Sequence, residues 1–219
     1  MSYQLLHEIT FYAMYAVLAL GVLVIIERLI FYVVTHRHAT QLEAVMTHNV
    51  HSVKDLPEAL LSRGSVGAVA LREMLETKNQ LASHKDIEDL SEAIYIAMKA
   101  KLLSRLWILD TIVTAAPLLG LLGTILGIID TFSALAQSGI SDPSAVSKGI
   151  GTALFATALG IGIAVVGLAF FNLFQEKVER INDHLKILLI RAGMGGLQAI
   201  QEKEAARQGG HNTAVRYVS

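Results

Sequence analysis

Three long runs of residues without charge constrain this chain more than any other feature. Ile9 to Ile26 contains no Asp, Glu, Lys or Arg, and after Glu27-Arg28 the apolar run resumes as Leu29 to Val34. Thr111 to Ile129 forms the second run, bracketed by Asp110 and Asp130, and Gly149 to Gln175 forms the third. A hydrocarbon core about 30 Å thick is crossed by about 20 helical residues, so each run is long enough to span it. Buried core helices of a soluble protein are the competing reading, but about 18 consecutive apolar residues already marks a membrane helix. Composition agrees, with 53% hydrophobic and 17% charged residues in a chain of 219, against about 45–50% and about 25% in ordinary soluble domains. The segregation of charge excludes one ordinary soluble domain, a disordered chain and a disulfide-stapled module. An all-α membrane protein with three transmembrane helices is expected.

Charge also sets the direction of the spans. The stretch before Ile9 has no Lys or Arg, and neither has Gln137 to Ser147. Thr35 to Asp110 carries nine, the tail after Gln175 carries seven, and the chain has 18 in all. By the positive-inside rule those two segments face the cytoplasm. The expected order is then an N-terminus on the opposite side over 1–8, a first span over 9–34 and a cytoplasmic helical region over 35–110. A second span over 111–136, a loop on the opposite side over 137–147, a third span over 148–175 and a cytoplasmic helix and tail over 176–219 complete it. The first run lacks a basic leading region and a convincing cleavage site, so it reads as a retained helix. Net charge is −1, which offers no basic excess for nucleic acid. The absence of cysteine excludes thiol catalysis and Cys-based zinc sites.

In the cytoplasmic region, His36, Arg37 and His38 form a basic flank suited to lipid headgroups. Together with His48 and His51 these histidines have partly metal-like spacing, but no carboxylate completes a ligand set, so no metal is assigned. Asp55-Leu56-Pro57-Glu58 reads as a helix start, and Arg63-Gly64-Ser65 as a break before a helix from about Val66 to Asn79. Ser83 with Asp86 resembles a capping box. From there Ile87, Leu90, Ile94, Met98, Leu102 and Leu106 recur at steps of three or four, which predicts one helix from about Lys85 to about Ala136, with an apolar stripe running into the second span. Phe174, Val178, Ile181, Leu185 and Leu188 predict a similar seam beyond the third span, with Gly193 and Gly195-Gly196 as stops. One chain offers little to cover both stripes, so a ring or bundle of copies is expected.

The spans themselves hold hydroxyls among small residues. Gly123 and Gly127 form a GxxxG step, and Ala156, Gly160 and Ala164 give its looser version; such residues let helix backbones meet while Thr bonds across the contact. Counted from Asp110 and Asn172, Thr124 at 14 residues and Thr157 at 15 reach a depth of roughly 21–23 Å, whereas counted from Glu176, 19 residues away, Thr157 lies farther out. A membrane Thr also commonly bonds its own helix's carbonyl. Near the lipid borders, Glu27-Arg28 reads as an interface anchor, and Asp130 and Lys148 are placed to form an outer ion pair.

Ala116-Pro117-Leu118-Leu119-Gly120-Leu121-Leu122-Gly123-Thr124-Ile125-Leu126-Gly127-Ile128-Ile129 resembles the second-span signature of the MotA/TolQ/ExbB proton-channel family. Gly149-Ile150-Gly151-Thr152-Ala153-Leu154-Phe155-Ala156-Thr157-Ala158-Leu159-Gly160 resembles its third-span signature. The likeness covers roughly Ser83 to Arg191, and length and loop pattern look most like the ExbB branch, with TolQ next. It implies a bacterial inner-membrane subunit in a five-fold ring around a dimer of a single-span ExbD- or TolR-like partner. That partner set extends to a TonB- or TolA-like protein, and the proton gradient drives the complex. The coupling ion is a proton, no cofactor is implied, and a bound phospholipid is compatible. Thr124 and Thr157 match the threonines that face the partner's membrane aspartate, and Pro117 matches the second-span proline. Where the family pattern has a third-span glutamate, this chain has Thr152. Asp130 lies at comparable depth, but six helical steps rotate it well away from the Thr124 side.

The leading reading is a proton-driven motor subunit that energises outer-membrane transport; a non-conducting membrane scaffold or sensor is the alternative. No P-loop, HExxH, nucleophile elbow or convergent acid–base pair points to an enzyme.

Overall fold

The computed structural model describes residues 3–45, 64–81, 83–138 and 143–215. Regular structure among them is helical: α1 Tyr3–Val45, α2 Val66–Thr77 followed by a 3-10 turn Lys78–Gln80, α3 His84–Leu103, α4 Leu106–Ser138 and α5 Pro143–Val215. Three helices, α1, α4 and α5, are long and apolar enough to cross a membrane. The histidines at 48 and 51, the helix start at 55–58 and Arg63 lie outside the described residues.

Two compact units emerge. The first comprises Met1–Ile30 and Arg105–Gln175, the second Phe31–Ser104 and Glu176–Ser219. In the first unit, Met14, Ile112, Ala116, Ala153 and Ala156 are buried, while Leu118, Phe155, Val165 and many other large apolar side chains are exposed. Such outward apolar surface is costly in water and costs little against lipid chains or a neighbouring subunit.

The second unit is built like a small soluble helical core. Gly64, in the left-handed region at φ 58, turns the chain into α2, whose first turn is capped by Ser65 Oγ accepting from Ala68 N at 3.3 Å. Ser83 caps α3 in the same manner, accepting from Lys85 N. Ile87, Ile94, Met98 and Leu102 of α3 are buried, as are Val178, Ile181, Leu185 and Leu188 of α5, with Leu42 of α1 and Leu71, Met74 and Leu75 of α2. Both apolar stripes are therefore covered within one chain. This corrects the sequence expectation that copies are needed to cover them. Tyr32 donates its hydroxyl to Leu102 O at 2.9 Å, and buried Lys78 donates to Ala192 O at 3.0 Å. His184 Nδ1 meets Glu43 Oε2 at 2.5 Å, Arg191 donates to Glu43 O at 3.2 Å, and the His36 ring packs 5.5 Å from that of His184. Burial, and then the positive neighbours His184, Lys177 and Arg180, hold His36 below its ordinary value of 6.5.

Two expected boundaries differ. The single helix from Lys85 to Ala136 is interrupted at Ser104-Arg105. Ser104 turns extended, with ψ 139, and its hydroxyl donates to Lys101 O at 2.7 Å. Arg105 then adopts φ 68, a left-handed backbone that is uncommon outside glycine. In the first unit Arg105 Nη1 lies 2.8 Å from Glu27 Oε1, and Arg28 Nε lies 3.5 Å from Glu27 Oε2. Glu27 is thus paired rather than simply anchored at the interface. The second difference is at Gly193, which does not end α5. A Cβ there would stand 3.3 Å from Ile87 Cγ2 and from Met74 Cε, so Gly193 keeps α5 close to α2 and α3.

Candidate functional site: a paired hydroxyl seam

Helices α4 and α5 meet backbone to backbone. A Cβ added at Gly160 would stand 2.5 Å from Ala116 O and 3.0 Å from Gly120 Cα. One at Gly120 would stand 2.9 Å from Ala156 O. Neither position has room for a side chain without separating the helices. Further along α4, a Cβ at Gly123 would lie 2.9 Å from the Ala156 methyl, and one at Gly127 would lie 2.9 Å from the Ala153 methyl. The GxxxG step of α4 and the Ala156–Gly160 step of α5 are therefore the two sides of one contact.

Thr124 and Thr157 sit half-buried in this seam, and their hydroxyls hydrogen-bond to each other. Thr124 Oγ1 also lies 3.2 Å from Gly120 O on its own helix and 2.9 Å from Ala153 O across the seam. Thr157 Oγ1 lies 3.1 Å from Gly120 O. A hydroxyl carries one proton and two lone pairs. Thr157 can donate to Thr124 while Thr124 donates to Ala153 O, or Thr124 can donate to Thr157 while Thr157 donates to Gly120 O. Both patterns keep both protons bonded. The equal depths counted from Asp110 and Asn172 become a direct contact, and the bond to the helix's own carbonyl exists beside it rather than instead of it.

The remaining candidates lie around this pair. Pro117 is half-buried inside α4, where its missing N–H leaves Val113 O without its in-helix donor. Thr152 is exposed and donates to Lys148 O at 3.0 Å, one turn back on α5. Asp130 is half-buried and Lys148 exposed, and among the described residues no ion pair joins them. Thr131 donates to Gly127 O at 2.7 Å. Among the described residues no group of three His, Asp or Glu is placed to hold a metal ion.

Helix α1 supplies a third wall that the sequence reading passed over. Buried Thr10 places its methyl 3.6 Å from a Cβ built on Gly123, and His7 Nε2 lies 2.8 Å from one built on Gly127. Further down, Gly21 faces Ile112 in the same way. The signal was the spacing of His7, Thr10 and Met14 at three and four, which puts them on one helical face.

Residues 64–187 match the family described as the MotA/TolQ/ExbB proton channel family, a stretch that contains the whole seam. A putative biopolymer transport protein ExbB homolog of Methanothermobacter thermautotrophicus is 31% identical over 106 residues, covering 48% of this chain and 37% of that protein. The biopolymer transport protein ExbB of Aquifex aeolicus is 38% identical over 87 residues, 39% of this chain and 59% of that protein. ExbB of Helicobacter pylori J99 is 32% identical over 117 residues, 53% and 75% respectively. The chain thus spans less than two thirds of the length of the first two. The match takes in more than half of the 219 residues, and three helices are apolar enough to span a bilayer. This multi-pass membrane chain therefore belongs to the MotA/TolQ/ExbB proton channel family, alongside ExbB-type transport proteins.

Proposed function

We propose that this protein is the ring-forming subunit of an inner-membrane motor driven by the proton gradient. In this reading its N-terminus is periplasmic and its C-terminus cytoplasmic. It assembles as a homopentamer around a single-span ExbD- or TolR-like partner, and through a TonB- or TolA-like protein it energises transport at the outer membrane. The observation that carries the reading is the Thr124–Thr157 hydroxyl pair, set in a close helix contact inside the family-matched stretch. Such hydroxyls donate and accept without bearing charge, so they stabilise a partner's carboxylate at membrane depth in either protonation state. Binding a proton neutralises that carboxylate and removes most of the cost of exposing it to lipid. Exposed Phe155 and Val166 border an apolar cleft of about 430 Å³ in the membrane unit, a volume suited to an acyl chain.

A scaffold without ion flux is the second reading. It is favoured by the internal saturation of the two hydroxyls and by an uncharged Thr152. The two readings separate in proteoliposomes containing the protein with its co-expressed partner. The motor conducts protons, and the Thr124→Val/Thr157→Val double variant conducts several-fold less, with native mass spectrometry giving an unchanged assembly. Undiminished flux in the double variant removes the seam from the mechanism. Absence of flux in the wild-type complex favours the scaffold.

A further inference from the structure

The cleft of about 430 Å³ in the membrane unit lies apart from the hydroxyl seam. Phe155 to Gly167 of α5 and Leu18 to Ile25 of α1 line it along its length, and Leu109 and Ile112 of α4 close one end. None of the described residues that line it has a polar side chain. Leu18, Phe155 and Val166 are exposed, so the cleft opens to the surface of the unit. Gly162 gives it depth. Gly120 and Gly160 are required where α4 and α5 touch, but a Cβ on Gly162 would meet nothing within 4 Å. Packing inside the chain does not call for glycine there, and glycine weakens a helix relative to alanine. Its missing side chain instead keeps the cleft open between Phe155 and Val166.

The dimensions select the occupant. Phe155 to Gly167 is about 18 Å of helical rise, against about 15 Å for the hydrocarbon of one leaflet. Spread over that length, 430 Å³ amounts to a section of roughly 24 Å². A helix about 10 Å across needs roughly 80 Å². The cleft is therefore too narrow for a helix of a second copy or of another protein. A single extended hydrocarbon chain is the slender apolar body that a bilayer supplies.

Charge marks which end the headgroup takes. The lining ends on α1 at Ile25, two residues before Glu27, and on α4 at Leu109, four after Arg105. Just past that end Arg105 Nη1 lies 2.8 Å from Glu27 Oε1, and the Arg105 side chain is 61% exposed. A guanidinium has five N–H donors, so the bond to Glu27 leaves donors for a phosphate oxygen. Exposed Trp107 stands two residues along the same helix and is of a type that gathers at headgroup level.

We propose that this cleft seats one acyl chain of a membrane glycerophospholipid, with the lipid phosphate at Arg105. A seated chain covers apolar surface that α1 and α5 leave open and braces the two helices against each other. The inference needs the chain to span a bilayer and does not need it to conduct.

Photo-crosslinking of the full-length protein tests this, in phosphatidylcholine vesicles with a minor fraction of phosphatidylglycerol carrying a diazirine midway along one acyl chain. Adducts are expected to concentrate on Val22, Phe155 and Val166 and to saturate near one lipid per chain. Leu23 and Ile30, exposed on α1 outside the cleft, report ordinary boundary lipid. Gly162→Leu fills the cleft and lowers the cleft adduct several-fold, with labelling of Leu23 and Ile30 unchanged. Arg105→Gln lowers the cleft adduct as well. Adducts spread evenly over exposed apolar residues in the wild type overturn the proposal, as does a cleft adduct undiminished in Gly162→Leu. A cleft labelled in dispersed chains but silent in the assembled complex assigns it to a second copy and also overturns the proposal. No change in Arg105→Gln overturns the phosphate contact. Thermal unfolding in detergent separates loss of the lipid from damage to the fold. Without lipid Gly162→Leu melts no lower than wild type, and added phosphatidylglycerol raises the wild-type Tm more than that of the variant. An equal rise in both counts against the cleft.

Discussion

At the scale of single residues, the hydroxyl pair is redundant in a specific way. Thr124 without Thr157 still has Ala153 O at 2.9 Å, and Thr157 without Thr124 still has Gly120 O at 3.1 Å. Neither single truncation strands the other hydroxyl. Interhelical hydrogen bonds in membranes average about 0.6 kcal/mol in double-mutant cycles. Thr124→Val and Thr157→Val should therefore each cost less than about 1 kcal/mol, with a coupling energy of about 0.6 kcal/mol between them. Thermal unfolding of the two single variants and the double variant in detergent measures this directly. A coupling of several kcal/mol would mean that the seam is held by the pair rather than by its backbone contacts. The glycines argue for the backbone, since Gly160 and Gly120 leave less room than any methyl group needs.

Elements differ in how much of them the sequence discloses. The break between α3 and α4 depends on Arg105 at φ 68, and nothing local announces it, because neither glycine nor asparagine is present at 104–106. This gives a clean comparison. Arg105→Ala loses the Glu27 contact and retains the left-handed backbone; Arg105→Gly loses the same contact and relieves the strain. The glycine variant should be the more stable of the two by about 1 kcal/mol. Denaturation of both in the same detergent checks the order, and a more stable alanine variant would show that the break re-forms as continuous helix. The cap at Ser83 was legible because its side chain meets the first turn within three residues, whereas Ser65 was legible only as part of a break. The seam was legible as spacing of small residues, while the meeting of Thr124 with Thr157 followed only from counting depth from Asn172 rather than from Glu176. Gly193 was misread, because glycine marks both helix ends and close packing, and only the presence of Met74 and Ile87 decides between them. His7 carried only its helical spacing with Thr10 and Met14, and its contact with Gly127 emerged when α1 was placed beside α4. Uncovered stripes beyond the second and third spans were inferred because sequence shows the stripe of a helix and not what lies on it.

For the whole molecule, acidity is expected to act on the soluble-like unit. His36 is held below 6.5 by burial and by its positive neighbours. The unfolded chain therefore binds more protons than the folded one just below that value, so His36 favours the fold above 6.5 and this contribution is lost as pH falls through 6.5 toward the lower folded value. Protection of the amides in residues 31–45 and 176–193, corrected for the intrinsic pH dependence of exchange, should be weaker at about pH 5.5 than at about pH 7.5. His36→Gln should blunt that difference, and an unchanged difference would assign the acid response to another group. The hydroxyl seam has a different consequence at this scale. Its two bonding patterns are mirror images in donor order, so exchanging one for the other reverses the sense of the chain of oxygens while each proton stays bonded. The chain ends on a backbone carbonyl at each side, Ala153 O and Gly120 O, so it favours neither direction. In the proposed motor, the handedness of movement therefore comes from the gradient across the bilayer or from an asymmetric occupant.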